Sequence, residues 1–190
     1  MINNWIIMSI NIHLTYKFHK ILFLPINNTN YNLSHLIPIE WQLILISDGS
    51  FTQNLNSLTG KHIKIEIISP YSKTRMKKKK MQTREVWIKD HKDNKLAFAK
   101  SLWPAINKTN YFVLPQNQSI GQSLIELQID MYKDIHEIYY GYCRYLENKF
   151  HDNGPTWGRK YTLFYQKQRL ATVQEIFSPQ IINFFHSKKQ

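Results

Sequence analysis

Residues 82–104 read QTREVWIKDHKDNKLAFAKSLWP, two alternating runs on either side of HKDN, which is the pattern of a β-hairpin. With period-2 geometry Arg84 shares a face with Val86 and Ile88, while Glu85, Trp87 and Lys89 take the other. In the returning run Lys100 shares its face with Leu96, Phe98 and Leu102. A tight turn around Lys92 and Asp93 sets Ile88 opposite Leu96, and therefore Arg84 opposite Lys100. Two cations facing each other on an apolar face repel, and an unpaired desolvated charge costs several kcal/mol. An anion is expected between them. Glu175 shares a face with Ala171, Val173 and Phe177 and is the expected partner of Arg84. One carboxylate does not neutralise two cations, so a small anionic ligand would complete such a cavity. The alternative is that Arg84 and Lys100 lie near strand ends and snorkel to water, with Glu175 in a structural pair. The pattern leaves both open.

Outward from the hairpin, the chain reads as an α+β domain with an antiparallel sheet. IEWQLILIS (39–47) fits a helix or a buried strand. SDGSFTQNLNSLTG (47–60) offers Asp48 or Ser50 as N-cap of a short helix and Gly60 as its stop. KHIKIEIIS (61–69) alternates as a half-buried strand with Ile63, Ile65 and Ile67 on one face. KTRMKKKK (73–80) is expected to be a solvated loop, and 104–118 a long connection of the kind that serves as a lid. SIGQSLIELQ (119–128) suits a short helix and YKDIHEIYYG (132–141) a strand. NGPTWGRK (153–160) is turn chemistry, followed by a final hairpin of YTLFYQ and LATVQEIFSP around KQR. The main domain is expected over 36–185, after an N-terminal extension of 1–35 whose role the sequence does not give, and before a short tail of 186–190.

Composition excludes several classes of function. With 190 residues and 43% hydrophobic content, the chain can bury a core of its own. Its single cysteine, Cys143, forms no intramolecular disulfide, and no histidine pair has zinc-site spacing. WIIMSINI (5–12) is too short to span a bilayer and follows no charged leader. The formal charge of +12 could suggest nucleic acid. The lysine run, however, carries no interleaved aromatics for base stacking, and the joint abundance of Lys, Asn, Ile, Tyr and Phe matches an A/T-rich coding bias. No nucleic-acid partner and no membrane span are expected.

The segments SDGSFTQNL, REVWIKD, AFAKSLWP, SIGQSL, YKDIHEIYYG, GPTWGRK and QEIFSP, in this order over residues 36–183, resemble chorismate lyase, in particular its cyanobacterial and plastid-encoded branch. The resemblance implies conversion of chorismate to 4-hydroxybenzoate and pyruvate without metal or organic cofactor. It also implies an antiparallel sheet with helices on one side and an enclosed ligand cavity beneath flaps. Carried onto this chain, the carboxylate-binding arginine is Arg84 and the glutamate facing the reacting ring is Glu175. Backbone ligand contacts fall near Phe51 and Ile120. Lys100 stands where the best-known bacterial members have an arginine, keeping charge while losing the bidentate fork. The roles implied are Glu175 as general acid or base, Arg84 as anchor and Lys100 as electrostatic helper. The other reading of the same fold is a non-catalytic binding module for small aromatic acids. A monomer is expected, encoded in a plastid, working in the chloroplast stroma and feeding quinone head-group synthesis; the chain shows no Arg- and Ser-rich transit leader.

Overall fold

The computed structural model describes residues 16–26, 35–76, 79–104 and 118–186. Its strands are β1 (His19–Pro25), β2 (Lys64–Met76), β3 (Lys79–Lys89), β4 (Lys95–Pro104), β5 (Tyr132–Tyr142), β6 (Thr156–Tyr165) and β7 (Gln168–Phe177). Its helices are α1 (Ile39–Leu45), α2 (Phe51–Thr59), α3 (Ile120–Glu126), α4 (Arg144–Phe150) and α5 (Asn183–His186). The strands form one antiparallel sheet in the order β1-β5-β6-β7-β4-β3-β2. Hairpin connections account for β2–β3, β3–β4 and β6–β7. The α+β architecture expected from the sequence is therefore present, and β1, which lies before residue 36, is hydrogen-bonded to β5 at one edge. No helix among the described residues is long and apolar enough to cross a membrane.

The helix punctuation follows the sequence. Ser50 is the extended residue before α2, and Gly60 ends that helix with a φ of 63°, where a side chain would be strained. The described residues of the lysine run are strand where a loop was expected. Lys73 to Met76 continue β2 and Lys79 begins β3, with Arg75 opposite Lys80 and Met76 opposite Lys79. The pairing of β2 with β3 resumes after register shifts between Ile67 and Ser72 and carries the ladder into these residues. The expected lid, residues 104–118, lies mostly outside the described residues.

Helices cover both faces of the sheet, not one. On the front, α1 and α2 supply Trp41, Ile44, Leu45, Phe51 and Leu55 to a core shared with Ile88, Ala97, Ile138, Trp157 and Phe177. On the back, Leu146 and Phe150 of α4 pack with Trp87, Phe98, Tyr139 and Ile176. The two sets alternate along each strand, as Trp87 with Ile88 and Ile176 with Phe177, so every central strand is buried on both sides. Of NGPTWGRK, Asn153 to Pro155 form the expected connection between α4 and β6, whereas Thr156 to Lys160 are all buried within β6. Gly158 belongs in the strand because the Tyr139 ring lies against its Cα, where a Cβ would collide with the ring.

The β3–β4 turn forms where expected but carries a consequence for the face of every residue after it. Asp90 Oδ1 accepts the backbone N–H groups of Lys92 at 2.8 Å and Asn94 at 2.9 Å, and Oδ2 accepts the Asn94 side-chain amide at 2.8 Å. Lys89 then pairs with Lys95, in the register that a tight turn dictates, but a bulge follows and Ile88 pairs with Ala97 instead of Leu96. Leu96 and Ala97 both enter the front core. The extra residue inverts the faces of the rest of β4.

Burial works to raise the Asp90 pKa, but the hydrogen bonds from Asn94 and the Lys92 backbone outweigh it and hold the carboxyl below its usual value. Replacing Asp90 with Ala should therefore lower stability by about 1–3 kcal/mol in denaturant unfolding at neutral pH. Because the native pKa is depressed, this contribution is complete above the unfolded value of about 4 and is lost as pH falls through the native one. Parent and variant stabilities should converge in acid; a difference that persists unchanged at pH 2 would mean that the carboxylate charge is not what holds the turn.

Candidate functional site

The front face carries a pocket of about 300 Å³ beyond the α1–α2 core. Its floor is strand: Arg84, Val86 and Ile88 of β3, Ala99 and Ser101 of β4, Lys133 of β5, Tyr161 and Leu163 of β6, Val173 and Glu175 of β7. Its rim includes the starts of two helices, through Ser50, Phe51 and Thr52 of α2 and Ser119, Ile120 and Gly121 of α3. Of the five residues singled out from the sequence, the structure brings Arg84, Glu175, Phe51 and Ile120 together here.

Lys100 does not join them. The bulge after Lys95 sets Lys100 opposite Glu85 and Ser101 opposite Arg84. Lys100 therefore lies on the back face, where its Nζ pairs with Glu85 Oε1 at 2.9 Å. The face assignment of Arg84, Val86 and Ile88 stands; the expected opposition of Arg84 and Lys100 is one residue out of register.

Glu175 is 5% exposed, and the contacts that hold it differ from those expected. Its Oε2 receives Arg159 Nε at 2.7 Å and its Oε1 receives the Tyr161 hydroxyl at 3.0 Å. Arg159, 1% exposed, stands directly across from it on β6. The cation assigned to this carboxylate is thus Arg159, where Arg84 was expected. Arg159 Nη1 also donates to the carbonyl oxygens of Ile44 at 2.8 Å, Leu45 at 3.2 Å and Ser47 at 3.3 Å. Those of Ile44 and Leu45 are the last carbonyls of α1, which lack helical partners and bear the negative end of the helix dipole, and Ser47 follows the helix. Arg84, also buried, donates from Nη2 to the carbonyl of Gln118 at 2.8 Å, immediately before the α3 cap residue Ser119.

Lys133 extends the same scheme from β5. Its Nζ donates to Gly49 O at 2.8 Å and Ser47 O at 3.1 Å and lies 5.0 Å from the Tyr161 ring centroid. Burial, followed by the positive charge of Arg159, lowers its pKa to about 8. Burial and the Glu175 carboxylate push the Tyr161 phenol well above its usual range, so it stays a donor. Asp48 and Asp130, the other acids at the pocket, are exposed at its rim. Among the described residues, the cations that line the pocket are therefore Arg84 and Lys133, while Arg159, outside the lining, meets the charge of Glu175.

Arg159, Tyr161 and Lys133 were missed in the sequence. For Lys133 a signal existed, since it alternates with Ile135 in YKDIHEIYYG; for Arg159 the doubly buried strand shows no alternation to read. Replacing Arg159 with Met should destabilise the protein by about 3–5 kcal/mol, because it strands a buried carboxylate. Adding Glu175→Gln to that variant should restore part of the loss in denaturant unfolding. A double variant less stable than Arg159→Met alone would show that the carboxylate charge is not the source of the damage.

Three comparisons with known proteins bear on this site. The family described as chorismate pyruvate-lyase Rv2949c-like matches residues 45–185. The uncharacterized protein ycf21 of Antithamnion sp. is 41% identical over 179 residues, 93% of this chain and 99% of that protein. Proteins of the same name from Porphyra purpurea and Cyanophora paradoxa are 40% identical over 150 residues and 32% identical over 156. These relatives are plastid-encoded proteins of red algae and Cyanophora. Among solved structures, the effector domain of PhnF from Mycobacterium smegmatis is similar with a TM-score of 0.54 at 9% identity, covering 72% of this chain and 92% of that one. The possible transcriptional regulator YydK of Bacillus subtilis gives 0.50 at 10% identity over 63% of this chain and 59% of its own. At such identities the likeness is one of fold.

Proposed function

This chain belongs to the Rv2949c-like chorismate pyruvate-lyase family, and from that footing we propose that it eliminates pyruvate from chorismate to give 4-hydroxybenzoate. The observation that carries the reading is a buried carboxylate, Glu175, that lines one pocket with the two cations Arg84 and Lys133 while its own charge is met by Arg159. Chorismate is a dianion, and the reaction needs a group that moves a proton beside groups that hold two carboxylates.

In this reading Arg84 anchors the ring carboxylate. Backbone N–H groups at the start of α2, around Phe51, and in the Ser119–Gly121 segment, around Ile120, serve as further polar contacts. Glu175 takes the proton from the ring carbon bearing the hydroxyl. The adjacent carbon–oxygen bond to the enolpyruvyl group breaks, its electron pair leaves with the oxygen, and the ring becomes aromatic. The departing enolpyruvate is protonated at carbon to give pyruvate. Arg159 and Tyr161 orient the carboxylate through its two oxygens, so that it is held in place before substrate arrives. The protein is proposed to act as a monomer in the plastid stroma, supplying a quinone head group, with plastid-encoded relatives as support for the location.

The test is incubation of the purified protein with chorismate, followed by detection of 4-hydroxybenzoate and pyruvate in equal amounts. Glu175→Gln keeps shape and reach but can no longer accept the proton, and single-turnover conversion should fall by a factor of about a hundred to ten thousand. Arg84→Ala should abolish 4-hydroxybenzoate binding, whereas Lys100→Gln, on the other face of the sheet, should leave it within about twofold. Equal single-turnover rates for parent and Glu175→Gln would remove Glu175 from the chemistry. A parent that binds 4-hydroxybenzoate yet converts no chorismate would instead support a small-aromatic-acid binding module, a use compatible with the fold shared with the PhnF effector domain.

A further inference from the structure

Arg84 is not the only cation that enters the pocket from a strand. Lys133 lines it as well, from β5, and the sheet order places four inter-strand steps between β5 and β3, about 19 Å from strand to strand. Glu175 stands on β7, midway between them. Two long basic side chains thus enter one cavity from opposite sides of the carboxylate.

The setting of Lys133 fits it for ligand recognition. An ammonium carries three N–H donors. Two are engaged by the carbonyls of Ser47 and Gly49, which fix the head at the pocket wall and leave the third for the cavity. Because the head is already held, little side-chain freedom is lost when a ligand docks. Its lowered pKa, about 8, reports a charge poorly compensated by its surroundings. The charged and titratable groups that face it are Arg159 and Tyr161 on β6, Glu175 on β7 and Asp48 before α2, with Asp130 at the rim. The Glu175 carboxylate already receives Arg159 and Tyr161.

We infer that Lys133 binds the second carboxylate of a dianionic ligand, the one on the three-carbon side group that departs, while Arg84 holds the carboxylate on the ring. The inference takes the ligand's identity from the lyase reading and adds to it the residue that selects substrate over product. The product, once pyruvate has left, retains only the ring carboxylate and loses the Lys133 contact. The same lysine then favours entry of dianion and release of monoanion. A cation beside the breaking carbon–oxygen bond also lies where negative charge develops on the leaving group.

The measurement is calorimetric titration of the full chain with two unreactive probes, the monoanion 4-hydroxybenzoate and the dianion 3-(carboxymethoxy)-4-hydroxybenzoate, in the parent and in Lys133→Met. The parent should bind the dianion more tightly by about tenfold to a hundredfold, the usual increment of a charge-assisted hydrogen bond. Lys133→Met should lose that preference while holding 4-hydroxybenzoate within about twofold. In the parent the preference should be steady below pH 8 and decline above it, because a lysine is cationic only below its pKa; in the variant it should be flat across the range.

If the preference survives in Lys133→Met, the inference is overturned. If both probes weaken equally, Lys133 serves only to tie the Ser47–Gly49 segment to the sheet, and the inference is again wrong. Lys133→Gln, which keeps one hydrogen bond to that segment, replaces the Met variant should the latter not fold. A Lys133-dependent dianion preference in a protein that converts no chorismate would sustain this assignment and sink the lyase reading. A parent that binds neither probe would sink both.

Discussion

The ion pair between Arg159 and Glu175 is the constraint on which the front of the molecule depends. Both charges are almost wholly removed from water, and their attraction alone would do little more than offset the cost of desolvating them. The additional partners alter that balance. Glu175 accepts from Tyr161 as well as Arg159, and Arg159 reaches three carbonyls at and after the end of α1. One guanidinium thereby joins β6, β7 and the α1–α2 connection. The start of α2, with Phe51, is placed by a charge network as well as by the apolar contacts of Phe51 with Phe177. Lys133 repeats the arrangement one strand further out, taking the carbonyls of Ser47 and Gly49.

The sheet separates two populations of charge. On the back, Lys100 meets Glu85, Lys160 meets Glu137, and Lys20 meets the same Glu137 from the edge strand. Gln174 donates to the Tyr139 hydroxyl there as well. These are pairings of one acid with one or two bases, consistent with a structural face. The front differs in that Glu175, already paired with Arg159, lines a cavity together with Arg84 and Lys133. Charges of similar sequence context thus acquire different possibilities from the side of the sheet on which they fall. A single bulge after Lys95 decides that side for Lys100.

Much of the fold was legible because local patterns and turn residues agreed. The Gly60 helix stop, the Asp90–Asn94 turn, α3 in SIGQSL and the β6–β7 hairpin each follow from a short stretch. Arg84 and Glu175 were legible for a different reason: a charge in phase with apolar neighbours is conspicuous when the strand alternates. That rule fails in two ways here. A bulge shifts phase without a mark in the sequence, since Leu96 and Ala97 are both apolar and either could face the core. It also has nothing to act on in TWGRK, where both faces are covered and Arg159 sits between glycine and lysine like a turn residue. Phe51 and Ile120 came from the resemblance alone, for no periodicity distinguishes them from other apolar residues at helix starts.

The contrast between Arg84 and Arg159 shows why burial of a cation does not by itself identify a ligand contact. Both are buried, both lie on the front face, and both donate to main-chain carbonyls next to helix ends. Arg159, however, is bound to a carboxylate and to the C-terminal carbonyls of α1, groups whose negative charge is fixed by the fold. Drawing it toward a ligand would strip Glu175 of its cation and α1 of its cap at once. Arg84 instead lines the cavity beside Ser101 and Val86, and its carbonyl partner, Gln118, belongs to the segment that leads into α3. An anion in the pocket can share the Arg84 guanidinium without dismantling a helix end. On electrostatic grounds, therefore, Arg159 is the better suited to set the geometry of Glu175, and Arg84 the better suited to meet a carboxylate that arrives from solution.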